Sequence, residues 1–455
     1  MIMNKNKNDF YLYNSKDIRK MKSVESDVCF LIRDLFFGDN KGKDTECSEK
    51  ERLSDDPDWN AIYTELNDQE IQLLFSDYLI SQNLPSDVRE RWIGKCVDKF
   101  EINIRILYVL EWLNELLNRH HIPYMVIKGF SASLLYPRPI LRNQGDIDVI
   151  VPSEFYKRAI RLLNQADCDG EYLEIESSRE CAYKKDDIYI EIHSRFATLN
   201  TLEAERLLDR WIYEAIPGRL QYQSIYDILP QDIAAKKNRV SDCSYSEQIQ
   251  SPDMCFPVPP DFLNGLILLT HINQHIEEGL GFRQVIDWML FVNRFLNDDR
   301  WEAFRDNVVI LGLERLAITV TRMCQIYFGL PEQSRTWPQV ADEQLCEELL
   351  QYLFECGNFG SKQGIRNEAA MVISHGRGII AFFGNLQRRG IVNWALCRKY
   401  PIMQPFAWIY QGIRYARFAL CRKNGLSLLR KEIQAGRRRG NLADRLEATS
   451  QARKK

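Results

Sequence analysis

At 455 residues the chain exceeds what one ordinary hydrophobic core organises, so two or three domains are expected. Apolar residues make up 45% and charged residues 27%, a globular balance that argues against a disordered chain and against a membrane-embedded one. The net charge of −3 conceals an asymmetry: from Arg422 onward 11 Lys/Arg face 3 Asp/Glu, a basic end of about +8 that leaves about −11 for the rest.

The opening stretch, MIMNKNKNDFYLYNSKD, is polar and rich in Lys and Asn, without the apolar region that a secretory signal carries. No window holds about 18 uninterrupted apolar residues. The nearest, YPIMQPFAWIYQGIRYARFAL, is broken by Pro401, Pro405, Arg414 and Arg417. A cytoplasmic protein is expected. Twelve cysteines, from Cys29 to Cys421, show no C-x-x-C spacing, so reduced and mostly buried thiols are expected rather than a zinc cluster or disulfides.

Residues 1–57 read as a polar N-terminal segment with one short helix, VESDVCFLIRDLFFG, and a charged, turn-rich linker behind it. Residues 58–121 read as helical. In FEINIRILYVLEWLNELLNRHHIPY the spacing lets Phe100, Ile104, Leu107, Leu113 and Leu117 share one face. The texture changes at Pro123, where a small α/β unit over 122–200 begins. YMVIKG reads as a strand, FSASLLY as a short helix and YPRP as a turn. GDIDVIV is a second strand, and SEFYKRAIRLLNQAD a helix with Ser153 as its N-cap. ECAYKK and DIYIEIHSRF pair as a hairpin around KKDD. Residues 201–260 connect, and KKNRVSDCSYSEQIQSPDMCFPVPP reads as a linker or surface excursion. A helical region over 261–420 and a basic tail over 421–455 complete the chain. The fold class is therefore α+β: a small mixed-sheet core flanked by N-terminal and C-terminal helical regions.

Within GDIDVIV, Asp146 and Asp148 interrupt an apolar strand. Residues two apart on a strand face one side, roughly 6–7 Å apart, so the two carboxylates lie side by side while Ile147 and Val149 face the core. Burying one unpaired carboxylate is costly, and two neighbours also repel. A cation answers both problems. In YIEIH the same period puts Glu191 and His193 on one face, so neighbouring strands would bring Asp146, Asp148 and Glu191 together. Three hard oxygen ligands suit Mg²⁺ or Mn²⁺. Upstream, a strand ends at Lys128, Gly129 turns the chain, and a helix begins near Ser131. That is an arrangement in which free N–H groups, a hydroxyl and the cations Lys128 and Arg142 can meet a polyphosphate.

This order of elements resembles the polymerase-beta-like nucleotidyltransferase superfamily, and within it a bacterial group known as the uncharacterised nucleotidyltransferase family. The matching motifs are Lys128-Gly129, Leu135-Tyr136-Pro137-Arg138-Pro139, Arg142 through Val151, and Ile190-Glu191-Ile192-His193, with THINQHIEEGLGFRQVIDW further on. Phe130 separates Gly129 from Ser131, where the superfamily commonly has an intact Gly-Ser pair. The resemblance implies transfer of a nucleoside monophosphate from a nucleoside triphosphate, ATP by default, with release of pyrophosphate. Asp146, Asp148 and Glu191 would hold two Mg²⁺ (or Mn²⁺) ions about 3.5–4 Å apart. Lys128, Gly129, Ser131, Arg142, His193 and Arg283 would contact the nucleotide or orient its ligands. The acceptor implied is a sugar, a small metabolite or a peptide, and the residues do not choose among them.

Blander readings stand beside these. The aspartates could cap loops or pair with Arg142, Lys128 could reach solvent, Ser131 could only cap its helix, and His193 could be structural. His271 and His275, four residues apart with Glu278 beyond, have zinc-compatible spacing but lack the glutamate of H-E-x-x-H, so packing against the α/β core is the expectation. Arg283 and Asp287 suit a helix-surface pair. SHGRG at 374–378 reads as a turn, not a phosphate loop. The acidic body disfavours extended nucleic-acid binding, while the tail allows weak contact with a membrane surface. The alternative function is a catalytically silent nucleotide-binding or scaffold protein of the same fold.

Overall fold

A computed structural model describes residues 22–38, 53–77, 84–166, 173–177, 180–216, 221–224, 255–276, 279–363, 400–421, 438 and 440–447, with scattered positions between 383 and 397. The linker at 39–52, most of the excursion at 236–254, Glu278, SHGRG and most of the basic tail lie outside the described residues.

Helices α1 (Ser23–Phe37), α2 (Trp59–Asp68) and α3 (Ser86–Arg119) precede the sheet. Asp58 caps α2, its side chain accepting from the Ala61 amide. The 34-residue α3 starts after Pro85 and ends where His121 adopts a left-handed φ of 49°. There the amides of His121 and Ile122 donate back to the carbonyls of Asn118 and Leu117, a Schellman closure with histidine in the position glycine usually takes. Its inward face differs from expectation. Leu107, Leu113 and Leu117 are buried, but Phe100 and Ile104 are half-buried, and the polar Asn103 is inside with Ile106 and Leu110.

The core holds β1 (Met125–Ile127), α4 (Gly129–Ser133), β2 (Ile147–Ile150), α5 (Ser153–Gln165), β3 (Leu173–Ser177), β4 (Glu180–Lys185) and β5 (Ile188–His193), as expected except that β3 stands where a loop is expected. The strands form one mixed sheet in the order β1-β2-β5-β4-β3. β2 is antiparallel to β1 and parallel to β5, and the remaining pairs are antiparallel. The KKDD hairpin is present, and both turn residues, Asp186 and Asp187, take positive φ (49° and 63°) as a two-residue turn between twisted strands requires. Ile147, Val149, Ile190 and Ile192 are fully buried, and α3 and α5 pack on β5. At α5, Pro152 occupies the cap position and Ser153 is the first helical residue. The Ser153 hydroxyl lies 3.2 Å from that of Tyr213 and caps nothing.

Helix α6 (Leu202–Ala215) carries two inward acids that tie down the loop leaving β5. Asp209 accepts from the Phe196 and Ala197 amides, and Glu205 from that of Leu199. The connecting segment is not all linker. CFPV forms β7 (Cys255–Val258), antiparallel to β6 (Gln221–Ser224), and Phe256 packs edge-on against Phe130 of α4. Its prolines had argued for a loop, but Phe256 and Val258 are buried and decide the matter.

The C-terminal region is helical: α7 (Asp261–His275), α8 (Phe282–Phe295), α9 (Asp298–Ile310), α10 (Glu314–Phe328), α11 (Glu343–Cys356) and α12 (Ala407–Cys421). α7 and α8 are buried nearly all round and pack on each other and on α10. Trp288 and Phe291 of α8 are fully buried there. Cys29, Cys96, Cys324, Cys346 and Cys397 are free thiols, and they, Cys181 and Cys356 are buried.

Candidate active site

The pairing of β2 with β5 sets the site. Asp148 lies directly opposite Glu191, and Ile150 opposite His193, so both acidic motifs point to one face of the sheet. Ligating atoms of Asp148, Glu191 and His193 fall within 4.8 Å of one another, the one cluster of metal-ligand spacing found among the described residues. Asp148 is buried. Asp146, one residue before β2, and Glu191 are half-buried at the rim. Of the three carboxylates expected together, Asp148 and Glu191 are adjacent and His193 joins them, while Asp146 lies outside this group but within reach of the Asp148 charge.

Asp148 has two partners on one oxygen. The Lys128 ammonium lies 2.7 Å from Oδ1 and the His193 Nε2 2.8 Å from the same atom. His193 Nε2 is also 3.5 Å from Glu191 Oε2. Burial works against the Asp148 charge, but Lys128 and His193 outweigh it and hold the carboxyl well below the usual range. Lys128 is likewise opposed by burial and held above its usual range by Asp148, then Glu191 and Asp146. Asp146 differs: burial and then the neighbouring Asp148 charge push it up, against the pull of Lys128, Arg283 and His193. Two acids two residues apart therefore have opposite tendencies.

Lys128 is bent into this position. Its φ of 54° and ψ of −115° are unusual for any residue with a Cβ, and strain of this kind persists where the surroundings enforce it. Gly129 follows without a side chain because a Cβ there would stand 2.8 Å from Gln144 Oε1, which accepts from Arg142. α4 has only five residues, too few to build the dipole a longer helix would aim at a phosphate. The Ser131 hydroxyl is turned inward, 3.0 Å from the Lys128 carbonyl and 3.2 Å from Asn264 Oδ1 on α7.

Arg142 lies close by but is committed elsewhere. Its guanidinium grips Asp287 of α8 with two bonds, Nε to Oδ1 at 2.8 Å and Nη2 to Oδ2 at 2.6 Å, and the Tyr136 hydroxyl donates to the same carboxylate at 2.8 Å. All three side chains are buried. The expected surface pair of Arg283 with Asp287 is therefore absent from its place: both are buried and they diverge. Arg283 donates to the Asn143 carbonyl at 3.1 Å and approaches Glu70 at 3.6 Å.

Asn103 went unnoticed in the sequence. Its Nδ2 donates to the carbonyls of Ile140 (2.7 Å) and Arg142 (3.0 Å), and its Oδ1 accepts from the Gln144 amide (3.0 Å). One buried amide thus fixes the loop that delivers Asp146. A lone asparagine in the apolar run FEINIRIL was the available signal.

His271 and His275 of α7 face each other, Nε2 to Nε2, at 2.9 Å, so one ring carries the proton and the other accepts it. Burial, with His275 and Lys128 adding to it, drives His271 well below the usual range, and burial with Lys128 and Arg283 brings His275 to about 3. The pair is neutral and packs toward the core, as expected.

An α+β core that gathers two carboxylates and an imidazole beside a buried lysine has the donor set of a divalent-cation site: hard oxygens for the ion, and a histidine that braces them. Residues 55–329 match the profile of a family described as an uncharacterised nucleotidyltransferase, and the chain belongs to that family. Neither the curated proteins nor the solved structures contain a match. No described helix is long and apolar enough to cross a membrane.

Proposed function

We propose that the chain transfers a nucleoside monophosphate from a nucleoside triphosphate to an acceptor, releasing pyrophosphate, in a reaction that requires Mg²⁺ or Mn²⁺. The observation that carries this reading is the in-register pairing of Asp148 with Glu191, completed by His193; Asp146 stands just before β2, within reach of the Asp148 charge. Asp146, Asp148 and Glu191 would hold the metal. When bound, it supplies charge neutralisation for the triphosphate and a lowered pKa for the acceptor hydroxyl. His193 orients Asp148 and Glu191. Lys128 and Arg283 offer positive charge to the triphosphate, and the backbone at Gly129 and Ser131 allows its close approach. Arg142 acts indirectly in this scheme, by holding the loop before Asp146 against α8. ATP is the default nucleotide, and a sugar, a small metabolite or a peptide the acceptor.

The second reading is a silent nucleotide-binding scaffold. It is favoured by the two partners already on Asp148, which a metal must share or displace. Pyrophosphate release from each triphosphate, with Mg²⁺ and pooled acceptors, separates the two. Release by the wild type and at least about a hundredfold less by Glu191→Gln supports transfer. Tight triphosphate binding with no release under any acceptor supports the scaffold.

A further inference from the structure

The Asp148 carboxylate already has a cation. The Lys128 ammonium donates to Oδ1 at 2.7 Å, the same oxygen that His193 Nε2 approaches at 2.8 Å. Asp148 is also one of the three residues whose ligating atoms fall within 4.8 Å of one another. An ammonium is thus held inside the cluster where a divalent ion would bind. The two cations would repel each other across a few ångströms, in a place where little water screens them, since the Lys128 and Asp148 side chains are 14% and 4% exposed.

The fold imposes this contact on Lys128. The residue stands alone between β1 and α4 with φ 54° and ψ −115°, a backbone that a side chain normally avoids and that persists only where its surroundings enforce it. Those surroundings offer the ammonium a second hold besides Asp148. Its Nζ lies 5.6 Å from the centre of the Phe196 ring, on the loop whose amides Asp209 accepts. The ring attracts a cation without competing for a metal ligand. We infer that Lys128 is a displaceable counter-cation: it neutralises Asp148 while no metal is bound, and it must release that carboxylate before the metal is held, which delivers its charge to the arriving triphosphate. The inference rests on the proposed metal site and states how that site is regulated. Metal entry and triphosphate binding are coupled through one side chain.

Competition of this kind lowers the apparent affinity for metal. If the ammonium leaves Asp148 in about one molecule in ten, the apparent affinity is about tenfold below what the ligands alone would give. The test is Mn²⁺ binding to the full chain without nucleotide, read by electron paramagnetic resonance. Lys128→Gln, which removes the charge but can still donate to Asp148, should bind Mn²⁺ at least about tenfold more tightly than wild type. Lys128→Arg keeps the charge and should bind no more tightly than wild type. A lysine that served only to stabilise the fold would give the opposite order, because its loss would loosen the ligands. Binding by Lys128→Gln that equals or falls below wild type would overturn this inference and leave the metal site standing. Absence of Mn²⁺ binding in wild type and in both variants would overturn the metal site and the inference with it. A second measurement needs no substitution: reductive methylation of wild-type Lys128, read by peptide mass spectrometry. It should be faster in Mg²⁺ than in chelator, and an unchanged or slower rate would overturn the inference.

Discussion

Asp146 and Asp148 stand two residues apart in opposite fields. Asp148 balances a buried ammonium, so Asp148→Asn strands Lys128 and should destabilise the protein by about 3–5 kcal/mol without metal. Asp146 is repelled by Asp148 and opposed by burial, so Asp146→Asn should leave the metal-free protein as stable as wild type or more so. Thermal unfolding in chelator checks both, and equal losses in the two variants would contradict the assignment. The histidine pair makes a second prediction. An unfolded histidine takes up its proton near 6.5, whereas folded His271 and His275 resist protonation, His275 down to about 3. Between those values the unfolded state binds more protons, so stability is full above 6.5 and falls as pH drops toward 3. Tm measured from pH 7 to 4.5 should fall less steeply in His271→Gln/His275→Gln than in wild type. An unchanged slope would mean the rings are solvated. At this scale much was legible: Asp148, Glu191, Lys128 and His193 adjoin. The destination of Arg142 was not, because its partner lies 145 positions away and nothing local in LRNQGD points to it.

Among the elements, α7 and α8 carry the tightest helix packing near the site. Gly265 makes it possible, since a Cβ there would stand 2.1 Å from the Phe291 ring. Alanine is the better helix former by about 1 kcal/mol. Yet Phe291 is fully buried among aromatic neighbours and cannot yield, so overpacking should win and Gly265→Ala should destabilise by about 1–3 kcal/mol. Urea unfolding measures this, and a stabilised variant would mean the two helices separate freely. Strands and helices of the core were readable because β2 and β5 alternate cleanly and KKDD marks its turn. β7 was hidden by the prolines in CFPVPP, and the inward face of α3 was misjudged because Asn103 is polar yet belongs to the core. A buried amide that satisfies three backbone groups looks, in sequence, like a solvent-facing residue.

On the scale of the whole molecule, the loop before Asp146 is where three regions meet. Asn103 holds it from the N-terminal helices and Asp287 and Arg283 from the C-terminal ones, while its own strand lies in the sheet. The flanking helices are therefore part of the site and not accessories to it, which the division into successive segments did not convey. Such convergence is invisible to periodicity, which reports which face of an element is inward but not what meets it. The central proposal is metal-dependent recognition of a triphosphate at Asp146, Asp148 and Glu191. The most direct measurement is thermal stability with each nucleoside triphosphate, with and without Mg²⁺, for wild type and Asp146→Asn. A ligand present at about a hundred times its Kd adds about 2.7 kcal/mol, which is a Tm rise of several degrees. That rise is expected for wild type only when Mg²⁺ and the right triphosphate are both present, and it should be lost in Asp146→Asn. No rise with any triphosphate, or an equal rise in the variant, would contradict it.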